Sequence, residues 1–172
     1  RKFNVAFDGA GRIAVLEDTN DIAFQAVEVL EGHGIEAGVY FRLSLGGITG
    51  HRDFARDTGV IVKPDEAVQV ADAIVRIFLE HGNRTDRNKA RLKYVLDAWG
   101  FEKFLGAVED KLGRKLARAA VEAVAPRPAF DRMAHIGVHP QKQAGFNWIG
   151  VSLKLGRLSP EQIRGLADIS YR

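Results

Sequence analysis

The 172-residue sequence contains no cysteine, which excludes disulfides and any thiolate-held zinc or iron–sulfur centre built from this chain alone. No apolar run approaches the roughly 20 residues that span a bilayer as a helix, and no secretory leader is visible. A cytoplasmic location without a membrane partner is therefore expected. The motifs of several chemistries are also missing. The glycines at 46–50 lack the Lys-Ser/Thr ending of a phosphate-binding P-loop and the spacing of a dinucleotide loop. No nucleophile elbow is present, and the acids are too scattered to nominate a catalytic carboxylate pair. His135 and His139 stand four apart, but Gly137 and Pro140 interrupt any helix there and no Glu follows His135. No metal site is expected from them. If this chain takes part in catalysis, the hard chemistry belongs to a cofactor. Finally, the chain begins at Arg1 rather than Met, and the residues after it already read as a strand. That predicts a piece of a longer protein.

What is present is enough for a substantial core: 46% of residues are apolar, sufficient for one domain, or one domain and part of another. Lys plus Arg total 25 against 22 Asp plus Glu, a net +3. So mild a balance implies a polyanionic partner only if the cations cluster. They do cluster in Gly82–Lys93, GNRTDRNKARLK, where Arg84, Arg87, Lys89, Arg91 and Lys93 face the single acid Asp86. An arbitrary charge run is usually a solvated face. Here the cations crowd a predicted helix entrance, with Thr85 as cap and Asp86 in the first turn. Free N–H groups beside guanidiniums suit carboxylates or phosphates.

Along the chain, residues 2–8 alternate, with Phe3, Val5 and Phe7 on one face and Lys2, Asn4, Ala6 and Asp8 on the other. That predicts a half-buried strand with Lys2 and Asn4 about 7 Å apart. Strands are predicted at 23–30 and 37–45, joined by a hairpin turn at Glu31–Gly34. A helix over 64–80 buries Ala67, Ala71, Ile74 and Phe78 and stops at Gly82. A second, from about Asp86 to Gly100, buries Leu92, Val95, Leu96 and Trp99 and leaves Arg87 and Arg91 one turn apart. A third, from Phe101, stops at Gly113. Residues 114–125 are weakly helical, and Pro126-Arg127-Pro128 reads as a linker. Beyond it, a loop over His135–Gly145 leads to a strand with Val151, Leu153 and Leu155. Ser159-Pro160-Glu161-Gln162 then opens a closing helix with a capping box. One strand and one helix cannot bury their own apolar faces, so this second part needs a partner.

Three features point at an anion: the Lys2/Asn4 strand face, the loop Gly46–Gly50, and the basic stretch 83–91. A large polyanionic ligand would explain all three. A non-enzymatic basic module binding nucleic acid is the alternative. It lacks the exposed aromatics of a strand platform, so no nucleic-acid partner is expected. A small nucleotide binder using Gly46–Gly50 is a third reading.

Four segments carry a resemblance. They are RKFNVAFDG at 1–9, YFRLSLGGITG at 40–50, HGNRTDRNKARLKYVLDAWG at 81–100, and HIGVHPQKQAGFNWIGVSLKLGRLSPEQIRGLADIS at 135–170. In these, and in their order, the chain resembles the assimilatory nitrite and sulfite reductases that use sirohaem and a [4Fe–4S] cluster. The resemblance implies an α+β fold: a mixed sheet with packed helices, followed by an incomplete ferredoxin-like half-domain. Residues 1–122 would be the first reductase repeat, 123–128 a linker, and 129–172 part of the second ferredoxin-like half. The four cluster cysteines of the family would lie beyond the last residue, so this piece alone is expected to be inactive.

The resemblance also implies roles. Lys2 matches a lysine that projects over the sirohaem iron and contacts the bound anion. Asn4 falls where sulfite-reducing members usually have a second lysine and nitrite-reducing members have asparagine. One cation fewer suits a monovalent anion. Arg1 corresponds to a basic residue at the sirohaem edge, and Gly46 and Gly47 to glycines near the macrocycle. Asn83, Arg84, Thr85, Arg87, Asn88 and Lys89 match a segment that meets sirohaem carboxylates, through either Asn88 or Lys89 at its end. In the intact enzyme the substrate would be nitrite or sulfite, with a ferredoxin or a flavoprotein as electron donor.

Overall fold

Alternating apolar residues drive four segments into one sheet: β1 (Val5–Asp8), β2 (Ile22–Val29), β3 (Gly38–Leu45) and β4 (Arg56–Val62), in that spatial order. The computed structural model describes residues 3–170, so Arg1 and Lys2 lie outside the described residues. β1 runs parallel to β2, while β2–β3 and β3–β4 are antiparallel, which makes the sheet mixed. Three helices cover one face: α1 (Ala67–His81), α2 (Leu92–Trp99) and α3 (Phe101–Leu112). Ile22, Phe24, Leu43 and Leu45 from the strands meet Val70, Ile74 and Ile77 of α1, Leu92 and Leu96 of α2, and Phe104, Leu105 and Val108 of α3. Each large side chain buried this fully contributes about 1.5–3 kcal/mol.

The other face is crossed by an extended strap, residues 114–128. It pairs with the β4 edge first, where Ile61 N donates to Ala117 O and Ala119 N to Gly59 O, both at 2.9 Å. It then reaches the β2 edge beyond the end of β1, where Leu30 N donates to Ala123 O and Ala125 N to Glu28 O. The β4 edge and the part of β2 that β1 leaves unpaired are thereby covered, which removes sites for unwanted strand addition. Ala119 and Ala123 pack on Val29, Tyr40 and Ile61 beneath.

Several sequence expectations need correction. The strap replaces the weak helix expected at 114–125, because its backbone groups bond to the sheet edges; only Val121–Ala123 forms a helical turn. β4 was not anticipated, since its residues run from exposed to buried without alternation. In β1 the buried residues are Ala6 and Asp8, whereas Val5 and Phe7 are about two-fifths exposed. Asp8, on the buried side of this short strand, meets Arg127 of the strap. Phe7 still stacks on Phe24 at 4.7 Å.

The chain divides into two compact units between Asp131 and Arg132. In the second, β5 (Gly137–Pro140) and β6 (Asn147–Gly150) form an antiparallel hairpin, followed by α4 (Pro160–Ser170). The strand expected around Val151–Leu155 is thus displaced to 147–150, where pairing with 137–140 satisfies its backbone. His139, within β5, stacks on Trp148 at 4.1 Å. The capping box at α4 is as expected: Ser159 N donates to Gln162 Oε1, and Gln162 N to Ser159 Oγ. α4 leaves Ile163 and Ile169 exposed. Among the described residues, no helix is long and apolar enough to cross a membrane.

Candidate functional site

The basic stretch is a structured turn, not the start of a helix. Asn83 Oδ1 accepts from Thr85 N at 3.1 Å, Asp86 N at 3.0 Å and the Thr85 hydroxyl at 3.0 Å. Asp86 Oδ1 then accepts from Asn88 N at 2.9 Å. Side chains that take up backbone N–H groups in this way compete with helix formation. Neither Thr85 nor Asn83 caps a helix: α2 begins only at Leu92, preceded by Arg91 without a side-chain cap. Arg87 and Arg91 consequently do not lie one helical turn apart.

Arg84, Arg87 and Lys89 are exposed on this turn. None of the three side chains has an ion-pair or hydrogen-bonding partner among the described residues. Most cations of the first unit do have one, including Arg42 with Asp57, Arg56 with Asp97, and Lys111 with Glu80. A fixed turn with three unengaged cations is suited to a ligand with several carboxylates.

Arg91 behaves differently. Its Nε and Nη2 grip Asp21 Oδ1 and Oδ2 at 2.9 and 2.8 Å, and Nη2 also donates to Gly47 O at 3.3 Å. The Asp21 side chain is 1% exposed and that of Arg91 13%. Asp21 Oδ2 additionally accepts from Asn4 N at 2.9 Å, and Asp21 O accepts from Gly46 N at 2.9 Å. Asp21 thus gathers three segments: its carboxylate holds the approach to β1 and the end of the cation turn, and its main-chain carbonyl holds the glycines after β3. Those are the three separate features that the sequence nominated. Asp21 was not among the expected site residues. The available signal was an acid at the head of the apolar run DIAFQAV, a position that demands a partner once buried.

Gly46 adopts φ +92°, a conformation that favours glycine. A Cβ at Gly47 would strike Asp18 O and come within 2.6 Å of Asn20 O. The close approach at Gly47 is therefore to the chain's own 18–20 segment. The loop beyond is braced against α2: Lys93 Nζ lies 2.7 Å from Asp53 and 2.6 Å from Asp97. The hydrogen bond from Lys93 holds the Asp53 carboxyl below its usual range, and the two carboxylates raise Lys93. The Tyr94 hydroxyl pairs with His51 Nδ1 at 3.0 Å. The Asn4 side chain is exposed, with its main chain bonded to Asp21 and Ile22.

A second polar cluster lies on the strap side. Arg127 Nη2 meets the fully buried Asp8 at 2.8 Å, and Nη1 meets Glu17 at 3.3 Å. A cleft of about 470 Å³ opens beside it, lined by Gln25, Val27, Arg42, Val124 and Pro126 among others. Among the described residues, none of the nominated ones lines this cleft.

Residues 1–116 match the family described as nitrite and sulphite reductase 4Fe-4S domain. Residues 139–172 match the nitrite/sulfite reductase ferredoxin-like half domain. Ferredoxin–nitrite reductase of Synechococcus elongatus is 32% identical over 173 aligned residues, covering 99% of this chain and 32% of that protein. Sulfite reductase [ferredoxin] of Mycobacterium tuberculosis is likewise 32% identical, over 100% of this chain and 29% of its own length. The solved structure of the Mycobacterium tuberculosis NirA protein superposes with a TM-score of 0.72 at 31% identity, covering 100% of this chain and 30% of that one. The chain thus spans about a third of the length of these relatives.

Proposed function

This chain belongs to the nitrite and sulphite reductase family, and from that premise we propose that it forms part of a sirohaem-dependent reductase. Its contribution is anion binding and the holding of cofactor carboxylates. The reaction is six-electron reduction of nitrite to ammonia, or of sulfite to sulfide, with nitrite favoured by Asn4. The supporting observation is the turn 83–91, framed by Asn83, whose cationic side chains Arg84, Arg87 and Lys89 have no partner among the described residues and suit the carboxylate arms of a modified tetrapyrrole. The donor set therefore fits that group.

When bound, sirohaem together with a [4Fe–4S] cluster would supply the iron and the electron route. The residues of this chain do the rest. Arg84, Arg87 and either Asn88 or Lys89 hold carboxylates, and Thr85 and Asn83 fix the turn that carries them. Gly46 and Gly47 join the turn to the sheet, through Gly46 N to Asp21 O and Arg91 to Gly47 O. Arg1 adds a cation at the cofactor edge. Lys2 attracts the substrate anion and hands it protons, and Asn4 limits the local charge to suit a monovalent anion. The cluster cysteines would come from outside this chain, which has none. Electrons would arrive from a ferredoxin, the donor in the names of the relatives, or from a flavoprotein.

The test is made in the full-length parent. Exchanging Arg84, Arg87 and Lys89 together for alanine should leave folding intact and strip the sirohaem absorbance from the purified protein. Full retention of the pigment by that variant would overturn the assignment of the turn.

A further inference from the structure

The turn 83–91 has an internal frame, and apart from the buried Ala90 its side chains reach the rest of the fold through Arg91. The side-chain bonds of Asn83 and Asp86 all close within the turn. Among the described residues, the side-chain hydrogen bonds that leave it all come from Arg91, two to Asp21 and one to Gly47 O. Arg91 itself is extended, at φ −137° and ψ 153°, as the joint between the turn and α2. Where Arg84, Arg87 and Lys89 stand thus depends on where Asp21 holds Arg91, next to the buried Ala90. The same carboxylate holds Asn4 N, and so the entry to β1.

We propose that Asp21 is a positioning residue of the reductase. Its buried carboxylate fixes the spacing between the carboxylate-binding turn and the segment at Asn4 that leads into β1. The proposal rests on the reading of that turn given above. A bidentate carboxylate–guanidinium pair suits the task, because it sets orientation as well as distance. Burial also makes it intolerant of losing one partner, which would strand an uncompensated charge. An anchor 70 residues away in sequence lets the sheet, rather than the turn, dictate the alignment.

Asp21→Asn in the full-length parent keeps the size and an acceptor for Asn4 N while removing the charge. Trypsin cleavage after Arg84, Arg87 and Lys89 in the cofactor-free protein should rise by about tenfold or more, with cleavage in α3 unchanged. Sirohaem retained through gel filtration should fall by a similar factor. Arg91→Lys, which keeps the charge but only one arm of the pair, should give intermediate values and guards against a variant that fails to fold. Asp8→Asn, at an ion pair of like burial, should lower the melting temperature without either effect. Wild-type cleavage and retention in both Asp21→Asn and Arg91→Lys, or the same two effects in Asp8→Asn, would overturn the proposal. If the wild-type parent binds no sirohaem, the functional reading fails instead, and the cleavage data alone still decide whether Asp21 fixes the turn.

Discussion

Arg127 and Asp8 are 119 positions apart in sequence, yet Nη2 of the one lies 2.8 Å from Oδ2 of the other. The pair pins the end of the strap onto the end of β1. Asp8 is fully buried and also accepts from Ala10 N at 2.7 Å and Val15 N at 3.2 Å. Arg127 lies over the Phe130 ring, 4.1 Å from its centre.

Removing one partner of such a pair leaves a buried charge without compensation. Arg127→Ala should therefore destabilise the chain by about 3 kcal/mol, read as a fall in the urea midpoint. Lys63→Ala, which breaks an exposed pair with Glu36, serves as the control; its midpoint should hardly move.

Glu17 makes the clamp sensitive to pH. Burial raises its pKa first, Asp8 adds to this, and Arg127 opposes it. Burial would raise Asp8 as well, but Arg127, Glu17 and two backbone N–H groups outweigh it and hold Asp8 low. The folded state thus grips the Glu17 proton more tightly than the unfolded chain does. That stability is complete below the ordinary glutamate value and is lost as pH rises through the raised one. Asp8 works in the opposite sense, with stability present above the ordinary aspartate value and lost as pH falls through its lowered one. Glu17→Gln should therefore gain on the wild type as pH climbs from about 5 to about 8. Urea midpoints across that range report it, and a constant gap between the two proteins would refute the assignment.

Gly47 and Gly50 separate packing from mere flexibility. A Cβ at Gly47 meets the backbone of Asp18 and Asn20, whereas one at Gly50 meets nothing within 4 Å. Gly47→Ala should cost about 1–3 kcal/mol and Gly50→Ala far less. Thermal melts of the two variants check the contrast.

Asn4 is open to a direct specificity test. Its side chain is exposed, so Asn4→Lys should fold normally. In the full-length parent the ratio of kcat/KM for sulfite over nitrite should rise on the order of tenfold, about 1.4 kcal/mol in relative barrier. An unchanged ratio would remove Asn4 as the discriminating position.

Local spacing made much of this fold legible. α1 and α3 follow from apolar residues recurring every three or four positions and from Gly82 and Gly113 beyond them. The start of α4 follows from a capping box complete within four residues. The cations of the turn, and the glycines before it, were likewise visible as residue types. Other features were settled at long range. Arg56–Val62 is a strand because β3 offers it partners, and the strap is extended because two sheet edges take its backbone groups. α2 starts at Leu92, not near Asp86, because Asn83 and Asp86 turn their oxygens on nearby N–H groups and Asp21 draws Arg91 out straight. A helical stripe or a cap is decided by neighbours within a turn or so, which the sequence lists in order. Which buried acid meets which arginine depends on strands and loops far apart in the chain, and only their packing brings Asp21 to Arg91 and Asp8 to Arg127.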